Sequence, residues 1–188
     1  MGDDTKKRRM ELVKGLLETI PNENPERQGL LKTPERVARM YDEIFSGYEK
    51  NPEDVFKSVF TSDYDQMVVV RAVDYFSLCE HHMVSFFGQV VIGYIPNGKV
   101  LGLSKFARLV EIYARRLQIQ EQMTFQITEA IEKYLQPKGV IVVVTGKHLC
   151  MCSRGIQKIN SETITSDMRG VFRVDDKARN EFLKLIKI

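Results

Sequence analysis

The sequence predicts an α+β fold, an antiparallel β-sheet with helices packed on it. Two observations carry this reading. Runs rich in β-branched and aromatic residues, at 67–76, 87–94 and 140–145, have the texture of strands, and one of them leads to the turn signal Pro96-Asn97-Gly98. Around them, apolar residues recur at three- and four-residue spacing, as amphipathic helices require. A length of 188 residues suits one domain whose core needs no staples, divided into an N-terminal helical part (1–50) and an α+β core (51–188).

Met10, Val13, Leu17 and Ile20, with Leu12 and Leu16 beside them, predict a first helix that ends near Pro21. Asn22-Glu23-Asn24-Pro25 is a connector. Thr33-Pro34 opens a second helix, with threonine as N-cap and proline at the first helical position, where the missing N–H is harmless. Val37, Met40, Tyr41, Ile44 and Phe45 form its apolar stripe, and Arg36 and Arg39 lie on another face, open to solvent or an anion.

Strand texture begins at Met67 and passes through Val73, Tyr75 and Phe76 into Cys79. Segments 87–94 and 99–103 flank Pro96-Asn97-Gly98 and predict a hairpin. Ser104 is expected to cap a helix bearing Phe106, Leu109, Val110, Tyr113 and Leu117. A further helical stretch runs through Ile119, Met123, Ile127, Ala130, Ile131 and Tyr134, and periodicity leaves open whether the two are one helix. The run 140–145 reads as a buried strand leading into His148. Residues 156–165 are expected as an exposed strand, and Phe182, Leu185 and Ile186 as one face of a terminal helix capped by Asp175 or Asp176.

Composition narrows the function classes. Hydrophobic and charged contents of 43% and 28% are those of a soluble globular chain. A net charge of +3 does not suggest a nucleic-acid binder, and Lys6-Lys7-Arg8-Arg9 reads as a solvated helix face. No apolar run spans a bilayer and the N-terminus is unlike a signal peptide, so a cytoplasmic location is expected. Three cysteines do not make a disulfide framework; in a reducing compartment, metal binding or catalysis is their expected use.

All three histidines and all three cysteines fall in two short stretches, Cys79-Glu80-His81-His82 and His148-Leu149-Cys150-Met151-Cys152. Each residue alone has an ordinary structural use; chance rarely places every histidine beside a cysteine. Both stretches follow strands, so a sheet can bring them together. Cys-x-x-His offers zinc a thiolate and an imidazole, and Cys150 or Cys152 would add a third ligand. Three ligands leave a position for water, as in catalytic sites; a fourth from His81, His148 or the remaining cysteine would close a structural site. Imidazoles that stay off the metal are candidates for proton transfer. The cations Arg36, Arg39, Lys105, Arg108 and Arg154 point to an anionic substrate, most simply a phosphate.

Two motifs are decoys. Gly93-Tyr94-Ile95-Pro96-Asn97-Gly98-Lys99 begins like a P-loop, but Val100 stands where serine or threonine should hold magnesium, and the context is strand to strand. The zinc deaminase pattern, His-x-Glu with Pro-Cys-x-x-Cys, is absent.

Cys79-Glu80-His81-His82, Gly102-Leu103-Ser104-Lys105, Gln118-Ile119-Gln120-Glu121 and His148-Leu149-Cys150 with Arg154-Gly155 resemble, in order and spacing, the motifs of the GTP cyclohydrolase I family. The resemblance runs from Thr33-Pro34-Glu35-Arg36 to the C-terminal helix. It implies a tunnelling fold (T-fold) assembled as a homodecamer with active sites between subunits, and GTP as substrate. The family opens the imidazole ring of GTP, releases C8 as formate and recloses the product as 7,8-dihydroneopterin triphosphate, the first step towards folate or biopterin. By motif, one zinc ion per subunit would be held by Cys79, His82 and Cys150, with Cys152 a bystander. His148 would be the principal proton shuttle, His81 would act near the ribose, and Ser104 would assist there. Glu121, with Gln120 beside it, would bind the guanine edge; Arg36, Arg39, Lys105, Arg108 and Arg154 would hold the triphosphate. Leu149 departs from the aromatic more usual at its position. Two other readings compete: a non-catalytic zinc-stabilised interaction or RNA-binding module, which has no need of Glu121 and two spare histidines, and a sister enzyme of the same fold acting on a pterin or deazapurine.

Overall fold

The computed structural model describes residues 2–186. They form two compact units, one through Ser46 and one from Gly47 onward. The first holds helices α1 (Asp3–Glu18) and α2 (Thr33–Ile44). Met10, Val13 and Leu17 are half-buried, while Leu12, Leu16 and Ile20 of the predicted stripe are exposed. The Arg9 guanidinium ties the pair, donating to Asp42 at 2.7 Å. Thr33 is the first helical residue of α2 and makes no capping bond; Lys32 takes the cap position.

The second unit has 3-10 turns at Ser46–Glu49 and Pro52–Ser58, followed by strand β1 (Val59–Thr61). Then come β2 (Val68–Cys79), β3 (Ser85–Ile95), β4 (Lys99–Leu101), α3 (Leu103–Ala114), β5 (Leu117–Gln118) and α4 (Gln120–Leu135). The chain closes with β6 (Gly139–His148), α5 (Leu149–Cys152), β7 (Thr163–Gly170), α6 (Val171–Val174) and α7 (Asp176–Ile186). The main sheet has the order β5-β2-β3-β6-β7, antiparallel except for the short β2/β5 pair, which confirms the α+β reading.

Two predicted elements are corrected. The turn at Pro96-Asn97-Gly98 exists, with Gly98 at φ +72°, but 99–103 does not fold back on β3. Both edges of β3 are already paired, with β2 and β6, so β4 pairs instead with β1. Residues 156–162 form no strand; β7 begins at Thr163, where it can reach the free edge of β6. The two central helical stretches are separate: α3 stops at Ala114 and Leu117 belongs to β5. Gly102 precedes α3, and Ser104 lies in its first turn without capping it. On α7, Ala178, Phe182 and Ile186 are the buried residues, at i, i+4, i+8, and Leu185 is exposed; the Asp175 carboxylate caps the helix by accepting from the Lys177 N–H at 2.8 Å.

Strand alternation gives the sheet two buried faces. Val90, Ile92 and Tyr94 with Val140, Val142 and Val144 pack with Phe106, Leu109, Met123, Ile127 and Ile131 of α3 and α4. Val91, Ile141 and Val143 pack with Phe172, Ala178, Phe182 and Ile186. A bulge between Val70 and Val73, with Ala72 at φ +54°, changes the parity of β2. Val68 and Val70 before it, and Val73, Tyr75 and Cys79 after it, therefore all join the α3/α4 face.

Candidate metal centre and active site

β2 and β3 are joined by residues 80–84, so the first Cys/His stretch is the turn of the actual hairpin. The turn is tight: the Cys79 N–H donates to Val84 O at 3.0 Å and the Met83 N–H to Cys79 O at 2.8 Å, with Met83 at φ +52°. This closure brings His82 Nδ1 to 3.7 Å from Cys79 Sγ. β3 pairs with β6 so that Phe86 faces His148, which sets the end of β6 beside the same turn. α5 follows at once and supplies Cys150.

The ligand atoms of Cys79, His82 and Cys150 all lie within 4.8 Å of one another. Two sulfurs and one imidazole nitrogen at that separation suit zinc in tetrahedral geometry, with Zn–S about 2.3 Å and Zn–N about 2.0 Å. Among the described residues no fourth His, Cys, Asp or Glu joins the group. Cys152 Sγ faces the carbonyls of Lys158 and Ile159, at 3.5 and 3.9 Å. His148 Nε2 is 2.9 Å from Gln120 Oε1. His81 is exposed on the turn, its Nε2 3.8 Å from Glu80. Three donors and two further imidazoles are thus brought together at one end of the sheet.

The GTP cyclohydrolase I family model matches residues 10–187, across both units. The chain belongs to the GTP cyclohydrolase I family. It is 56% identical over 166 residues to the GTP cyclohydrolase 1 of Chlorobium chlorochromatii, covering 88% of this chain and 74% of that one. It is 57% identical over 166 residues to that of Homo sapiens (88% and 66%) and 49% identical over 176 residues to that of Clostridium kluyveri (94% and 95%). A solved structure, the apo form of the archaeosine synthase QueF-Like, aligns with a TM-score of 0.47 at 22% identity, covering 55% of this chain and 93% of that one.

In this cyclohydrolase-family chain, burial pushes the His148 imidazole below its ordinary range, and the Glu121 carboxylate opposes that shift. Burial, then the neighbouring Cys79, pushes the Cys150 thiol up; the Arg154 guanidinium acts in the other direction, so it lies within electrostatic reach of the cluster. Glu121 is exposed at the start of α4, one residue after the buried Gln120. Lys105 and Arg108, one turn apart on α3, line a cavity of about 540 Å³ with Glu49, Asp54 and Glu111. Ser104 is exposed beside Lys105. Arg36 and Arg39 are exposed on α2 of the first unit.

Sequence reasoning missed the residues that support His148. Phe86 stacks on its ring at 4.6 Å and 4°, and Tyr75 sits edge-on to Phe86 at 5.8 Å. Thr163 and Thr165 of β7 accept from the Gln120 amide. Only strand register could have revealed these partners, and the register was not legible.

Proposed function

We propose that the chain is a zinc-dependent GTP cyclohydrolase I, opening the imidazole ring of GTP at C8, releasing formate and recyclising the product to 7,8-dihydroneopterin triphosphate. This is the first step towards tetrahydrofolate or tetrahydrobiopterin. The observation that carries the reading is the three-donor group Cys79, His82 and Cys150 with His148 held beside it, outside the donor set, in a chain of this family.

One zinc ion per subunit would be held by those three residues; when bound, it supplies Lewis acidity and lowers the pKa of water towards neutrality. His148, kept neutral by burial, is the proton carrier at the purine ring, and His81 serves the ribose end with Ser104. The Glu121 carboxylate accepts from the two adjacent N–H donors of guanine, which adenine cannot offer. Arg154, Lys105, Arg108, Arg36 and Arg39 hold the triphosphate, where guanidinium forks match phosphate oxygens. The subunits assemble as a homodecamer with active sites between them; β7, an edge strand with no partner on its outer side among the described residues, supports association.

Incubation of the zinc-loaded protein with GTP tests the reading. Formate and, after oxidation, a fluorescent pterin are expected together, and both should vanish on chelation. Bound zinc with neither product would instead favour a zinc-stabilised binding module or a sister enzyme with another substrate. Light scattering is expected to give a mass near ten subunits of 21.7 kDa.

A further inference from the structure

We propose that Gln120 is a positioning residue that fixes His148 as the Nε2–H tautomer, leaving Nδ1 as the ring nitrogen without a hydrogen. Gln120 is the first residue of α4 and only 1% exposed. Its amide nitrogen lies 3.0 Å from Val144 O, 3.1 Å from Thr163 O and 3.2 Å from Thr165 Oγ1. Carbonyl oxygens only accept, so the NH2 end must face them; the inverted amide would set oxygen against two oxygens. The orientation of the amide is therefore fixed by β6 and β7. Its Oε1 points to His148 Nε2 at 2.9 Å, and because that oxygen can only accept, Nε2 must carry the hydrogen.

Two further features hold the arrangement. Phe86 fixes the plane of the imidazole by parallel stacking at 4.6 Å. Gly146, two residues before His148 on the same face of β6, leaves room for the amide to cross the strand: a Cβ there would overlap Gln120 Oε1 and come within 2.7 Å of the Tyr75 hydroxyl. His148 Nδ1 makes no hydrogen bond to the described residues. The adjacent residues Gln120 and Glu121 then divide their roles. Glu121 is exposed for substrate, while Gln120, expected at the guanine edge, has its amide occupied by protein and acts through His148.

The proposal rests on the cyclohydrolase reading only for the reaction that the proton serves; the tautomer stands without it. The test is a two-bond 1H–15N correlation spectrum of the zinc-loaded protein labelled at histidine nitrogens, with the peaks assigned by His148→Ala among only three histidines. The neutral His148 ring is expected to show Nε2 as the protonated nitrogen and Nδ1 as the bare one. Finding the hydrogen on Nδ1 in the wild-type protein would overturn the proposal, whatever the activity. Gln120→Leu should give a mixture of tautomers and lower kcat roughly tenfold, the factor one hydrogen bond of ordinary net strength controls, with KM for GTP and zinc content little changed. A raised KM with unchanged kcat and an unchanged His148 spectrum would return Gln120 to the guanine edge. An inactive wild-type protein with the Nε2–H spectrum would count against the cyclohydrolase function alone.

Discussion

Cys150 and His148 are two residues apart, yet their removal should have different consequences. Cys150→Ser takes a thiolate from a three-donor group, so zinc and turnover are expected to disappear together. His148→Ala leaves all three donors in place; metal analysis should find zinc retained while kcat falls by about 10²–10⁴, the usual worth of a positioned acid–base group. Retained activity in both variants would refute the site assignment. Zinc uptake should also depend on pH in a definite direction. The Cys150 thiol of the metal-free protein is pushed up by burial and then by Cys79, so it is protonated at neutral pH and must lose that proton on binding zinc. Apparent affinity should therefore fall as pH is lowered, and calorimetry in buffers of different ionisation enthalpy should register proton release. The donor residues were legible in the sequence because histidine and cysteine are rare there and clustered. The orientation of His148 was not legible, because it is set by Gln120, Phe86 and Thr165, whose types are common and whose proximity depends on strand pairing.

The element that sets up the cluster is β2, through its bulge. Ahead of it the even-numbered Val68 and Val70 face α3 and α4; past it the odd-numbered Val73, Tyr75 and Cys79 do. Deleting Ala72 removes the extra residue and the positive φ together. With it gone, Arg71 alone stands opposite Val91 and Val73 still meets Val90, so β2 alternates regularly and every side chain beyond keeps its face. Cys79 then stays on the face it shares with Cys150. The deletion variant is therefore expected to keep stoichiometric zinc, and metal analysis on purified protein reads this directly. Loss of zinc would mean that the local twist of the bulge, and not strand parity alone, aims Cys79 at the cluster. The strands themselves were visible as β-branched runs, but the bulge was not, since Arg71-Ala72 carries no glycine or proline to mark it. The hairpin shows the same limit: Pro96-Asn97-Gly98 is a turn by its chemistry, but the tighter turn over Cys79 to Val84 looks in sequence like metal-binding residues and nothing else.

At the scale of the second unit, the sheet separates the metal cluster from a second core. Cys79 and Cys150 belong to the face packed by α3 and α4, whereas Phe182, fully buried, fills the opposite face against Val91, Ile141 and Phe172. Helical periodicity and the Asp175 cap made α7 legible, but not which of its residues the sheet would cover. Phe182→Ala removes a ring that also meets Phe172 edge-on at 6.2 Å, and large-to-small changes at such sites cost about 3–5 kcal/mol. A Cβ on Gly93 of β3 would come within 2.6 Å of the Phe182 ring, so the bare glycine leaves space that Phe182 occupies. The cavity left by the alanine would thus lie against the middle of β3, seven residues from the Phe86 that stacks on His148. If the sheet transmits little across its thickness, denaturant unfolding should show the full loss in stability while zinc stoichiometry and the Nε2–H spectrum of His148 stay as in the wild type at a temperature where the variant is folded. A variant that loses stability and the His148 signal together, while still folded, would show that α7 holds the register of β3 and β6, and through it the cluster on the other face.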